Sequence, residues 1–370
     1  MRNETVCGDA NGGVGVGTGR AGAPRLALAT LFWMARAGAV CGVLAGCGGG
    51  GGGGDAAGAP SASPAPVAAP APAAAASGPQ AAVLTVATPI GYDADRLAAF
   101  ERLNAIRLSA GLGLLAQNAV LDQAAQAHAD WEIANDTYAH AEAAGTSGFT
   151  GVNWWNRDEA LGYAPLGGAE VLSSGVGAAA AVDGLVNVVY HRAALLAFEP
   201  LDVGIGWSGA VAGKVSQPLV MDLTRPADDP VRSLGQAAQA AIAGVAVWPL
   251  DGAVGVATRM GAENPDPVPG VDVGTLGTPA SITVSSALTI AATSFRLTHA
   301  GTGVDVPAIV LSNSNDPNFL LPPSFIALVP VGPLQADTTY AVSFTGSVVD
   351  GALGTPRSLS KAWTFSTGSQ

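Results

Sequence analysis

Residues 169–199 read AEVLSSGVGAAAAVDGLVNVVYHRAALLAFE and place one acid, Glu170, inside a short apolar run ahead of a helix-like segment. The stretch then reaches His191-Arg192 and the apolar pair Leu195-Leu196. Val182, Leu185, Val186 and Val189 fall at helical spacing, so the spacing predicts one helix leading into His191. The chain has four histidines, and His140 stands upstream in Thr137-Tyr138-Ala139-His140, just after a strongly periodic segment. A fold that returns Glu170 and His191 to that point assembles a small His/carboxylate pocket, the best site candidate in the chain.

Working outward, Leu97, Phe100, Leu103 and Ile106 are spaced for a helix over 93–107, with acids at its start and Gly111 and Gly113 closing it. Asn118 is a good N-cap for a second helix through AVLDQAAQAHADWEIAN. His128 lies inside that helix between alanines and reads as a packed residue, whereas His140 follows in a loop, where binding residues concentrate. Trp154 to Gly162 reads as a short helix, its paired tryptophans serving packing. Val203–Trp207 and Pro218–Leu223 read as strands. Periodicity alone predicts a mixed α and β region.

A histidine just past a long amphipathic helix, a glutamate opening an apolar strand, and His-Arg-x-x-Leu-Leu before Val203-Gly204-Ile205-Gly206 occur here in that order. Together they resemble the bacterial form of the CAP superfamily, the group of cysteine-rich secretory, antigen 5 and pathogenesis-related 1 proteins. The resemblance covers Asp93 to Leu223, and LDQAAQAHA is similar to the family's second helix. It implies an α/β/α sandwich with His140, Glu170 and His191 around one cleft. A His-Glu-Glu-His set lines that cleft in the family. This chain departs from it: the region for a second glutamate reads Asn187-Val188-Val189, and the nearest acids are Asp183 and Glu142.

Two imidazoles and a carboxylate, from His140, His191 and Glu170, suit zinc or a similar divalent ion with a position left for water, and Asp183 is a more remote candidate ligand. Nucleophilic catalysis has less support, because Ser173 and Ser174 lie in no Gly-x-Ser-x-Gly elbow and the region holds no cysteine. Two function classes stay open. One is a non-enzymatic module that binds a small apolar ligand, such as a lipid or sterol-like molecule, or an envelope protein. The other is a metal-assisted hydrolase using His140, Glu170 and His191.

The remainder of the chain bears on location. Cys7, Cys41 and Cys47 are the only cysteines, so no disulfide staples the regions after them. Arg20 and Arg25 precede an apolar stretch that ends in Leu44-Ala45-Gly46-Cys47, the layout of a secretory signal with a lipobox-like end. Lipidation of Cys47 would anchor an extracytoplasmic protein to a membrane; an ordinary signal would leave it secreted. Residues 48–85, beginning with seven glycines and continuing in Ala and Pro, form a tether reaching roughly 30 Å or more. The CAP-like region then spans 86–228 and an alanine-rich connector 229–244. From 245 to 370, short β-branched segments between turn residues predict an all-β sandwich resembling bacterial Ig-like domains, so the overall class is α+β. The change of texture predicts two regions that fold independently. The cluster Asn313, Asn315, Asp316 and Asn318 reads as turn chemistry before it reads as a calcium loop. The net charge is −12 and Lys214 and Lys361 are the only lysines, which argues against a nucleic-acid partner.

Overall fold

The computed structural model describes residues 85–174, 177–209, 217–227, 244–351 and 354–369. Cys47, the signal region, nearly all of the tether and the connector through 243 lie outside the described residues. The first region contains α1 (Ala94–Ser109), β1 (Ala116–Gln117), α2 (Ala119–Asn135), α3 (Trp154–Ala160), β2 (Pro165–Ser174), α4 (Ala178–Val186), α5 (Tyr190–Leu195), β3 (Asp202–Trp207) and β4 (Pro218–Pro226). Its sheet runs β1-β3-β4-β2, antiparallel except for the short β1–β3 pairing.

Both long helices start where side chains satisfy free backbone amides. The Asp93 carboxylate accepts the Arg96 N–H at 2.8 Å, and the Asn118 side-chain oxygen accepts the Val120 N–H at 3.0 Å. The α1 side chains Phe100, Leu103 and Ile106 then share a core with Val182 and Leu185 of α4, Leu195 of α5 and the inner face of the sheet. On α2, Asp122 Oδ1 accepts the Ile205 N–H at 2.9 Å and Gln126 Oε1 accepts the Trp207 N–H at 3.0 Å. This side-on contact requires Gly204 and Gly206, since a Cβ at either would collide with the α2 backbone at Leu121 or Ala125.

One expected element is divided. The helix that the spacing carries into His191 ends at Val186, and His191 instead lies in the first turn of α5. The face splits accordingly: Val182, Leu185 and Val186 enter the first region's core, whereas Val189 turns toward the second region.

That second region carries β5 (Ala246–Trp248), β6 (Ala253–Val256), β7 (Ala280–Thr283), β8 (Leu288–His299), β9 (Ala308–Ser312), β10 (Phe325–Pro330), β11 (Thr339–Asp350) and β12 (Pro356–Thr367). They form two four-stranded sheets, β5-β7-β10-β9 and β6-β12-β11-β8. Ile282, Ile326 and Leu328 of one sheet pack with Phe295, Phe344 and Phe365 of the other in a single core.

The expectation of two self-contained regions meets a shared buried interface. Val188, Val189, Tyr190 and Ala193 cluster with Met260, Val268, Leu276, Leu320 and Phe325. Ala194, Leu195 and Leu196, from the same short segment, belong to the other core. Both faces of α5 are therefore apolar contacts. Arg192, fully buried, donates to the Val186 carbonyl at 2.7 Å and the Pro279 carbonyl at 2.6 Å, linking the regions through backbone acceptors. The Tyr190 hydroxyl adds a bond to Asp316 at 2.6 Å, so the Asn/Asp cluster serves as a docking turn: Asp316 also accepts the Leu320 and Leu321 amides.

Candidate functional site

The site begins with α2, whose buried face carries His128 and, one turn later, Glu132. Glu132 Oε1 accepts the Ala139 N–H at 3.0 Å, and His128 Nε2 meets the Ala139 carbonyl at 3.0 Å. A carbonyl only accepts, so Nε2 carries the hydrogen. Ala139, the residue before His140, is thus held at both its N–H and its C=O. His128 Nδ1 contacts Glu142 Oε1 at 3.0 Å, and Glu142 in turn accepts from the Thr150 amide at 2.6 Å and the Gly151 amide at 3.2 Å, folding the loop back. The role of His128 as the inner support of this loop, beyond simple packing, is visible in sequence only as its four-residue spacing from Glu132.

His140 Nδ1 donates to Glu170 Oε1 at 2.9 Å, and the ring is partly open to solvent. Glu170, on β2, is fully buried, and Arg157 of α3 donates to its other oxygen. Burial alone would raise the Glu170 pKa; Arg157, His128 and the His140 bond outweigh it and bring it down to about 2. Directly opposite on β4 stands Asp222, two acids paired across neighbouring strands. Burial first, then the charges of Asp158 and Glu170, push Asp222 well above the usual carboxylate range. A protonated Asp222 can donate to Glu170, which resolves the like-charge pairing. Asp158, one residue after Arg157, is pushed up to about 8 by burial and by Glu170. Glu170 therefore holds the negative charge of this cluster, matched by Arg157.

His191 reaches the same place from the other side, its ring centroid 6.3 Å from that of His140 with the planes inclined by 23°. Its Nδ1 donates at 2.8 Å to Glu263, a residue of the second region that also accepts the backbone amides of Val189, Tyr190 and His191 at 2.8 to 3.0 Å. The structure thus brings His140, Glu170 and His191 together. Asp183 is elsewhere: its carboxylate pairs with Arg102 at 2.6 Å on the exposed side of α1 and α4. Glu263 carries no sequence signal, being a lone acid in Gly-Ala-Glu-Asn-Pro far beyond the CAP-like stretch.

The geometry alters the ligand set read from sequence. Both Glu170 oxygens are committed, to His140 and Arg157, so Glu170 orients a histidine and does not itself stand ready to coordinate. A carboxylate at Nδ1 favours the tautomer with hydrogen on Nδ1, which leaves the lone pair on Nε2, and both His140 and His191 have such a carboxylate. Among the described residues no group of three or more His, Cys, Asp or Glu is arranged to hold a metal ion. What remains is a pair of imidazole donors, each backed by a carboxylate.

Residues 100–215 match the CAP, or cysteine-rich secretory protein, family. The CAP match thus contains His140, Glu170 and His191 and excludes Glu263. Among solved structures, an extracellular protein containing an SCP domain from Bacillus anthracis strain Ames aligns at 20% identity and a TM-score of 0.31. The alignment covers 35% of this chain and 40% of that one, so the chain spans well under half of that protein. An outer surface protein from Borrelia burgdorferi aligns at 17% identity and a TM-score of 0.30, over 34% of this chain and 89% of that protein. No curated protein matches the chain. Among the described residues no helix is long and apolar enough to cross a membrane.

Proposed function

We propose that the CAP region is a non-enzymatic binding module of an exported protein, held at a membrane through Cys47, and that His140 and His191 are its ligand-contacting pair. The observation that carries this reading is that each imidazole has its Nδ1 fixed by a carboxylate, His140 by Glu170 and His191 by Glu263, leaving both Nε2 atoms as acceptors or metal donors. The donor set fits a divalent ion such as zinc held by two histidines, with water or a partner's groups filling the other positions. Such an ion would supply a Lewis-acid contact for an anionic or carbonyl group. The residues of this chain do the orienting: Arg157 holds Glu170, and Glu170 holds His140.

The loop bearing His140 also exposes Tyr138, Phe149 and Val152, at 49%, 38% and 43%. Exposed apolar side chains on the loop that carries His140 favour an apolar or lipid-like ligand, or an envelope protein, as the occupant of the site. Serine-based hydrolysis has no comparable support among the described residues, where both histidine Nδ1 atoms bond carboxylates and Ser173 and Ser174 lie at the end of β2; a metal-assisted hydrolase would need the same His140 and His191 pair to hold its ion.

Zinc titration of the full chain by calorimetry tests the reading. The unaltered protein should bind in the micromolar range or weaker, as two protein ligands allow, and His140→Ala or His191→Ala should abolish the heat. Unchanged binding in the double variant would place the ion elsewhere and remove the histidine pair from the function.

A further inference from the structure

We propose that Glu263 of the β-rich region is the positioning carboxylate for His191, so that the ligand-contacting pair is completed by a part of the chain outside the CAP match. The inference rests on the reading of His140 and His191 as that pair. Its basis is a correspondence between the two rings. His140 Nδ1 donates to the buried Glu170 at 2.9 Å, and His191 Nδ1 donates to the buried Glu263 at 2.8 Å. The first carboxylate comes from β2 of the CAP region. The second comes from a loop 72 residues after His191 in sequence.

The need for an outside carboxylate is written in the local sequence. The segment before His191, Asn187-Val188-Val189-Tyr190, supplies no acid, and its valines face the β-rich region. Asp183, the nearest acid upstream, is occupied by Arg102. Three consecutive amides, of Val189, Tyr190 and His191, converge on the Glu263 carboxylate together with the ring N–H. These four bonds hold one carboxylate in one orientation and leave its lone pairs little freedom to turn away from Nδ1. A buried carboxylate on Nδ1 selects the tautomer in which Nε2 bears the lone pair and raises the donor strength of that nitrogen. Docking of the two regions and readiness of the site thereby become the same event: the Asn187 side chain also donates to the Arg259 carbonyl at 2.9 Å, and Asn318 donates to the Tyr190 hydroxyl at 2.8 Å.

A purely structural role, capping the first turn of α5 and fastening the regions, would give the same bonds to backbone amides but would not govern the imidazole. The test therefore reads the ring itself. Nitrogen-15 NMR of the full chain with labelled histidine, without metal, should show His191 as the Nδ1–H tautomer, assigned by loss of its signals in His191→Ala. In Glu263→Gln the ring should pass to a mixture of tautomers. Zinc affinity should fall about 10- to 100-fold in that variant. Glu263→Asp, which keeps the charge, should recover part of it. As a control, Tyr190→Phe weakens the docking contacts but leaves Glu263 in place, and should leave the His191 tautomer unchanged.

A wild-type His191 with hydrogen on Nε2 overturns the proposal whether or not any variant folds. An unchanged tautomer in Glu263→Gln overturns it equally. If the unaltered protein takes up no zinc, the metal reading of the pair fails, while the tautomer result still decides what Glu263 does to His191.

Discussion

Glu132 and Asp158 hold protons that a carboxyl in water would release. Burial pushes Glu132 up to about 7 and, with the charge of Glu170, pushes Asp158 up to about 8. Between the ordinary carboxylate range and these values the folded chain binds more protons than the unfolded one, so their contribution to stability falls as pH rises from about 4.5 to 8. For Glu132 the shift from 4.5 to about 7 amounts to about 3 kcal/mol. Glu170 acts in the opposite sense: its pKa is brought down to about 2, so it contributes fully above about 4.5 and loses that contribution as pH falls toward 2. Thermal unfolding should give its highest Tm near pH 5 and decline toward pH 9. Asp158→Asn, which mimics the protonated carboxyl, should raise Tm at pH 8 to 9 and change it little at pH 5. A Tm that rises steadily from pH 5 to 9 would contradict the buried-proton account.

At the scale of elements, the contact between α2 and β3 is set by two glycines. Gly204→Ala drives a methyl into the α2 backbone at Leu121 and should destabilise by about 1–3 kcal/mol, measured by urea unfolding. A stability unchanged within error would show that α2 can shift outward without cost. Both long helices were legible in the sequence, because their caps, Asp93 and Asn118, and their apolar spacing act locally. The strand bearing Glu170 and the convergence of His140, Glu170 and His191 were legible from the order of parts. The break before His191 was not. Val189 continues the helical spacing of Val182 and Val186, and what pulls it out of register is a partner surface from a distant part of the chain. Glu263 was illegible for the same reason, since no local pattern marks an acid that acts on a histidine 72 residues away. Asp183 is near in sequence, yet it pairs with Arg102 on the exposed surface of α4.

For the whole molecule, a helix of six residues with one face in each core ties the fate of the two regions together. Calorimetry of the chain from 86 to 370 should show one cooperative transition. A chain ending at 227 would uncover Val188, Val189, Tyr190 and Ala193 and strip Arg192 of its Pro279 acceptor, so it should melt lower and bind a hydrophobic dye. Two separate transitions in the longer chain would show that the interface is only a resting contact. The α2 side chains that meet β3 bear on behaviour in a crowd. Ile205 and Trp207 have their amides occupied by Asp122 and Gln126, so the border of the sheet beyond β1 offers no free rung there to an extended strand from a neighbour. On the other border the Tyr138 hydroxyl occupies the Leu172 carbonyl. Copies held side by side on a surface would therefore meet through side chains along these borders, with little opportunity to zip backbone to backbone.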